Sequence, residues 1–406
     1  MSYTTRIRGL FIIVFAFVAA QVFAQGTAGP CDVFPADNPW NVDVSQFPVH
    51  PQSTMFVESI DLGSTSKRVH PDFGTNPEYG IPYVYVSAAQ ARVQITYDAY
   101  GNESDRGPFP IPPDAPVEGG NGATGDRHVL AIDTTACMLY ELFAARKDAS
   151  GDGWTAESGA VFDLKTTAYR QDGWTSADAA GLPIFPGLVR YDEVAEGAIN
   201  HAVRFTSRYS QRGWIHPARH HAGRADTTYP PMGLRMRLRN DYDISAITGQ
   251  ARIIVQALKK YGMILADNGT SWFISGTSDP RWDPDDLNQL KRIPGTAFEA
   301  VFTGPIKRSP EISSIRGDEA MSPLQSFIVR VVDGSVEAMF TTAHAALATT
   351  TLYDVRGSVV ATGEQALSDA GTHTIRMTTS GLAAGVYLCR LQTGTHASVA
   401  RVVFVR

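Results

Sequence analysis

The chain lacks the stretches that would announce several common activities. Its basic and acidic residues are interspersed, with 35 Lys/Arg against 41 Asp/Glu and a net charge of −6. No basic stripe able to neutralise a run of phosphates is present, so nucleic acid is not an expected partner. There is no P-loop and no long alternation of helices with strands, which argues against a nucleotide-binding doubly wound fold. No GxSxG elbow surrounds any serine, so a serine nucleophile has little support. Beyond the first two dozen residues no apolar run approaches membrane-spanning length, and the mature protein is expected to have no membrane span.

What is present is turn chemistry. The 406 residues include 36 Gly and 24 Pro, with 10% aromatics, a balance that suits a β-heavy, turn-rich protein better than a helical bundle. At 43% hydrophobic the chain can bury one large core or two ordinary ones. Met1 to Ala24 reads as a secretory signal, with Arg6 and Arg8 at the positive end, Leu10 to Ala20 apolar, and Val22-Phe23-Ala24 as a cleavage site before Gln25. Export places Cys31, Cys137 and Cys389 in an oxidising compartment. Cys31 and Cys137 are then either a disulfide or two buried thiols, and spacing does not choose between them.

From Cys31 to about Thr303 the pattern is that of one continuous domain. Val33–Asp43 and Val69–Pro82 carry turn residues without periodicity and are expected as ordered loops. Val84–Tyr97 reads as strand, and Pro108–Gly122 as a Pro/Gly-rich excursion without regular structure. His128–Asp133 and Met138–Ala144 predict a hairpin. Thr248–Tyr261 predicts a helix, stopped by Lys259, Lys260 and Gly262. Met263–Ala266 and Trp272–Ser275 predict strands joined through the Asp267-Asn268-Gly269 turn, and Asp285–Lys291 a short helix. The expected fold class is α+β and β-rich: a sandwich-like main domain with long loops and a few helices, plus a small C-terminal Ig-like β-sandwich.

The division expected is a signal at 1–24, a cargo domain at 25–305, a charged Pro/Ser linker at 306–321 and a tail at 322–406. Strands are expected in the tail at Phe327–Val332, Thr351–Val355, Thr372–Met377, Val386–Leu391 and Val399–Val405. The tail motifs LYDVRG (Leu352–Gly357), VVATG, GTHTIRM (Gly371–Met377), LAAGVYLCRL (Leu382–Leu391) and VARVVFVR resemble the C-terminal sorting domain of the type IX (Por) secretion system. That resemblance implies recognition by the outer-membrane type IX apparatus and delivery through the periplasm to the cell surface or the medium. The body, through GDRHVLAID, SGAVFDL, GWTSADAAGLPIFPGL and PPMGLRMRL, is similar to large secreted bacterial proteins of no assigned activity; this likeness implies one intact domain and carries no chemistry.

The densest stretch is Gly173–His221, with a Ser/Thr/Asp cluster, a proline-punctuated apolar run and four of the ten histidines. Three constellations are candidates. Asp126-Arg127-His128, with Glu141 on the neighbouring strand, offers acid/base groups at a loop exit, or else a capped turn with an Arg127–Glu141 pair. Trp174 to Asp178 offers a sugar-stacking ring beside Asp178, or else a helix start capped by Ser176. Among His201, Arg204, His216, His220 and His221, His201 and His220 offer a metal site with His128, or the group offers a lyase-like site in which Arg204 or a His neutralises a substrate carboxylate and a His or Tyr abstracts a proton; Pro217 argues against an HxxxH zinc helix. Arg235, Arg237 and Arg239 alternate and are expected to line a solvated or salt-bridged edge. The candidate catalytic set is therefore Asp126, His128, Glu141, Asp178, His201, Arg204 and His220, with Trp174 and Arg127 as substrate-binding groups. The sequence does not identify a cofactor or a metal. The function expected is a secreted glycan-active enzyme, hydrolase or lyase. The alternative is a non-catalytic surface protein that binds a polysaccharide or another partner. Three or more of these side chains in one concave pocket would favour the enzyme.

Overall fold

The computed structural model describes residues 26–148, 151, 153–308 and, towards the C-terminus, 324–332, 335–342, 346–354, 358–379, 382–393 and 396–404. The signal read at Met1–Ala24 and nearly all of the linker lie outside the described residues. In chain order the body runs β1 (Thr27–Ala28), β2 (Cys31–Asp32), α1 (Ser53–Leu62), β3 (His70–Asp72), β4 (Val84–Val86), β5 (Ile95–Tyr97), β6 (Val129–Asp133), β7 (Met138–Phe143), β8 (Arg146–Lys147), β9 (Trp154–Ala156) and β10 (Ser158–Asp163). It continues with α2 (Tyr191–Glu196), β11 (Val203–Ser207), β12 (Arg235–Leu238), α3 (Gly249–Lys260), β13 (Met263–Asn268), β14 (Phe273–Ser275), α4 (Pro284–Asn288) and β15 (Phe298–Val301). Strands outweigh helices throughout, and the fold is α+β and β-rich.

Two sheets dominate the body. One has the order β15-β12-β13-β11-β14-β3 and the other β10-β7-β6-β4. The smaller sheet is apolar on both faces, which is why every residue of β6 is buried. Leu130, Ile132 and Leu139 point into the large core shared with the six-stranded sheet. Val129, Ala131, Tyr140 and Leu142 point the other way, into a second core with Phe109, Ile111 and Trp154. That second core pins the Pro/Gly excursion after residue 107: Phe109 and Ile111 are its anchors, at 1% and 0% exposure.

α3 places Ala251, Ile254, Val255 and Leu258 on one buried stripe and Lys259 and Lys260 in its last turn. Gly262 closes it at φ +66, where a Cβ would meet the Met236 carbonyl oxygen at 2.2 Å, so only glycine fits. α4 is capped by Asp283, whose carboxylate accepts from the backbone N–H groups of Asp285 and Asp286. Cys31 and Cys137 are joined by a disulfide that ties the N-terminal ribbon to the β6–β7 hairpin.

Several local expectations change. His70–Asp72 is a strand, the parallel edge partner of β14, rather than loop. Val84–Tyr97 is two short strands in different sheets, not one. β13 and β14 do not pair with each other: β11 lies between them, parallel to β13 and antiparallel to β14. A non-local strand therefore wins over the hairpin that the Asp-Asn-Gly turn suggests. Residues 175–180 form an irregular segment of bend and turn rather than a helix start. β12 is an internal strand; Arg235 is buried and donates to the carbonyls of Tyr261, Pro39 and Val42, while Arg237 pairs with Glu299 and donates to Val44 and Phe47.

The tail contains β16 (Leu324–Val332), β17 (Ser335–Thr342), β18 (Ala346–Tyr353), β19 (Val359–Leu367), β20 (Gly371–Thr378), β21 (Gly385–Thr393) and β22 (His396–Phe404). They form an Ig-like pair of antiparallel sheets, β16-β17-β20 and β19-β18-β21-β22. β17 and β19 were not among the expected tail strands. β17 has a strict inward period of two, burying Val336, Ala338, Phe340 and Thr342.

Candidate functional site

A cleft of about 200 Å³ opens at one end of the body, where the two large sheets meet. Its floor is one face of the six-stranded sheet. Arg204 and Thr206 project from β11 opposite to the core residues Val203 and Phe205. β14 adds Phe273 and Ser275, and β3 adds Asp72, which stands directly beside Ser275 in the parallel register. β13 adds Asp267 through an irregularity: Leu265 pairs with Phe205 but Asp267, not Ala266, pairs with Thr206. The extra residue turns the Asp267 carboxyl to the cleft side. The opposite wall comes from the other sheet and its loops, with His128 immediately before β6, exposed Asp126, and Glu118 from the Pro/Gly excursion.

Two charged assemblies organise this cleft. His128, 2% exposed, holds Glu118 through Nδ1 at 2.6 Å, and its Nε2 faces the Ala177 carbonyl at 2.9 Å. Burial alone would depress the imidazole, but the charge and hydrogen bond of Glu118 overcome it and set His128 at about 9. Glu118, despite burial, is held below its ordinary value by the same partner. The second assembly centres on Arg204, 4% exposed. Its Nε donates to Asp178 at 2.8 Å, Nη1 to Ser275 Oγ at 2.8 Å and Nη2 to Asp267 at 3.2 Å. Asp178 and Asp267 are both pushed up, by burial first, because one guanidinium cannot fully offset two carboxylates. Asp126 adds to the upward push on Asp267. Asp72 is also raised, by burial and then by Glu118 and Asp126, against the pull of Tyr79 and Arg204.

Of the residues singled out from sequence, Asp126, His128 and Arg204 line this cleft, and Asp178 lies directly behind Arg204. The others are elsewhere. Glu141 shares the inward face of β7 with Leu139 and accepts the backbone N–H groups of Ile184 and Phe185 at 2.9 Å, under 1% exposed; burial pushes it up to about 7. Arg127, at φ +52, is a clamp for the adjoining loop, donating to the carbonyls of Ala145, Asn121 and Ala123. His201 is buried between Glu193 and the Ala202 carbonyl, and His220 bonds Ala179 and stacks on His221. Trp174 is half-buried beneath Arg170. Among the described residues no set of three or more His, Cys, Asp or Glu is arranged to hold a metal ion. Sequence reasoning missed Asp72, Glu118 and Asp267, each hidden inside a motif that reads as a turn: HPDFG, PVEGG and LADNG.

The architecture thus combines a β-rich body carrying an acidic cleft with an Ig-like C-terminal pair of sheets. Residues 334–405 match the family of secretion system C-terminal sorting domains. The tail is a type IX sorting domain, which implies engagement of the type IX apparatus and secretion to the cell surface or the extracellular space. No curated protein matches the chain. Among the described residues no helix is long and apolar enough to cross a membrane.

Proposed function

We propose that the payload is a glycan hydrolase acting on a neutral glycosidic bond, carried at residues 25–305 and joined by a 306–321 linker to the 322–406 sorting domain. Support for the hydrolase comes from one observation: two carboxyls in different environments line the same cleft, Asp267 from the six-stranded sheet and Asp126 from the loop ahead of β6. Asp267 shares Arg204 with Asp178 and is biased towards its protonated form, which suits a general acid at the leaving oxygen. Asp126 is exposed on the opposite wall, free of any ion pair among the described residues, and suits the base or nucleophile. Asp72 and Asn268 supply further partners for sugar hydroxyls, and Phe273 an apolar face at the floor.

The same geometry weighs against a lyase. That reaction needs a cation free to neutralise a uronate carboxylate, whereas Arg204 has Nε, Nη1 and Nη2 all engaged and His128 is closed by Glu118 and Ala177. Support for a separate tail is that its two apolar clusters contain tail residues alone.

The test is to incubate the exported protein with neutral and uronic polysaccharides, following new reducing ends and the absorbance of unsaturated ends. Reducing ends from a neutral polymer are expected, with Asp126→Asn and Asp267→Asn each slower by at least about 100-fold. Asp126 is exposed, so its variant keeps the parent melting temperature. Unsaturated ends, or full activity in Asp126→Asn, would refute the assignment, as would the absence of product from every glycan.

A further inference from the structure

The His-rich stretch is left unabsorbed by the cleft, and its charge points to a second site. From Arg208 to Arg224 the chain carries four arginines and three histidines with no Asp or Glu. The structure folds this segment against the cleft wall. Asn268, which lines the cleft, donates to the Ala222 carbonyl at 2.8 Å and accepts from Ser210 Oγ at 2.8 Å, and the N–H of Gly269 donates to the Ser207 carbonyl.

Within the segment Arg224 and Arg208 both lie over the Tyr209 ring, at 4.0 and 5.5 Å from its centre, and Tyr209 packs on Tyr229 at 5.3 Å. Arg212 is laced to Arg224 through its backbone N–H and stands close enough to His221 to help hold that imidazole down at about 4, after burial and with His220. Arg208, Arg212 and Arg224 are exposed. The carboxylate of Asp172 serves Arg219 and Lys307 at the far end of the segment, and Asp226 holds the Thr228 N–H and hydroxyl. Among the described residues no carboxylate forms an ion pair with Arg208, Arg212 or Arg224. Two exposed guanidinium groups on one tyrosine, with Arg212 on the neighbouring backbone, give a locally positive surface that attracts anions.

We infer that Arg208, Arg212 and Arg224, with Tyr209 and Tyr229, form a binding track for the acidic units of a polysaccharide, adjoining the acidic cleft. The guanidinium fork matches the planar or trigonal oxygens of carboxylate and sulfate. The sorting tail sends the protein outside the cell, where acidic polysaccharides are the polyanions a glycan enzyme meets. Opposite charges on adjoining surfaces then set the register: acidic units are drawn to the arginines and repelled from the exposed Asp126 carboxylate, so a neutral unit occupies the cleft. This deepens the hydrolase reading and rests on it for the position of the bond, while the binding itself does not.

Dextran and dextran sulfate share a backbone and differ in charge, so they are the probes, with polygalacturonate for carboxylate and single-stranded DNA as a non-glycan polyanion. The intact exported protein is expected to bind dextran sulfate or polygalacturonate and not dextran, the better of the two naming the acid group. Arg208→Ser/Arg212→Ser/Arg224→Ser should weaken binding by roughly tenfold or more at unchanged melting temperature, and the corresponding triple Lys variant should retain most of it. Asp126→Asn should bind as the parent does while losing hydrolysis, so loss of the hydrolase reading leaves the track standing. Binding undiminished in the triple Ser variant would overturn the proposal. Single-stranded DNA bound as tightly as the acidic glycans would overturn the glycan assignment.

Discussion

Replacing Glu118 by Gln isolates the His128 pair and gives a signed, measurable consequence. His128 is raised from an ordinary 6.5 to about 9, so its contribution to stability is fully present below pH 6.5 and disappears as pH climbs through 9. At roughly 1 kcal/mol or a little more per pH unit of displacement, the contribution is about 3 kcal/mol at pH 6, falls to about 1 kcal/mol at pH 8 and is nearly gone above pH 9. Glu141 and Asp178 also lose stabilisation as pH rises, because burial raises their carboxyls, but Glu141 does so between its ordinary value and about 7. Arg235, which burial lowers to about 9, acts with the opposite sign above that pH, so the window from pH 7.5 to 8.5 is the one in which His128 dominates. In Glu118→Gln the imidazole keeps its burial and the Ala177 contact but loses the anion. Its pKa then falls, and the slope in that window vanishes. Urea unfolding at half-unit pH steps reads this directly, since a change in midpoint at constant slope of the transition reports stability alone. A parent protein whose stability is flat from pH 7.5 to 8.5, or a variant with the parent slope there, would refute the claim that Glu118 holds His128 charged.

Other consequences follow from packing and covalent structure. Gly187→Ala places a Cβ 2.7 Å from the Trp40 ring and 2.8 Å from Arg204 Cβ. It should cost about 1–3 kcal/mol in unfolding free energy and, by displacing Arg204 from Asp178 and Asp267, slow hydrolysis. Cys31→Ser/Cys137→Ser opens a link spanning 106 residues and should cost up to about 5 kcal/mol, seen as a lower melting temperature under non-reducing conditions. Deleting Ser322 to Arg406 should leave the payload in the periplasm of a type IX-competent host; surface delivery of the truncation, measured by protease shaving, would contradict the role of the tail.

The sequence disclosed elements whose signals are local. The β6–β7 hairpin, α3 with its Lys-Lys-Gly stop, and five tail strands are all set by periodicity and capping within a dozen residues. Ser335–Thr342 carries an equally clear alternation and was open to the same reading. Elements that depend on distant partners were hidden. His70–Asp72 is a strand only because β14 supplies its ladder, and nothing in VHPDFG marks an edge strand. The chain does reverse after β13, but at 269–272: Asp267 and Asn268 remain in the strand, and β11, some sixty residues earlier in the chain, occupies the position between β13 and β14.

This division explains why the candidate site was half visible. Asp126, His128 and Arg204 sit beside recognisable strands, and their chemistry is apparent from residue type. Their partners come from segments whose turn-like composition hides an ordered backbone: Glu118 is fixed because its N–H donates to the His128 carbonyl, while Phe109, Ile111 and Val117 bury into the second core. Without that anchoring a Pro/Gly loop could not hold a carboxylate at 2.6 Å from a buried imidazole. Asp267 is fixed by the displaced register on β13, and Asp178 by Arg204 and the Ala180 N–H. The cleft is therefore a product of the two-sheet packing itself. Its floor and its lid loops belong to different sheets, so the proposed acid and the proposed base are brought together only when the large core closes. A substitution that separates the sheets without touching either carboxylate, such as a truncation of Leu130 or Ile132, should thus abolish hydrolysis in step with folding, whereas Asp126→Asn abolishes it alone.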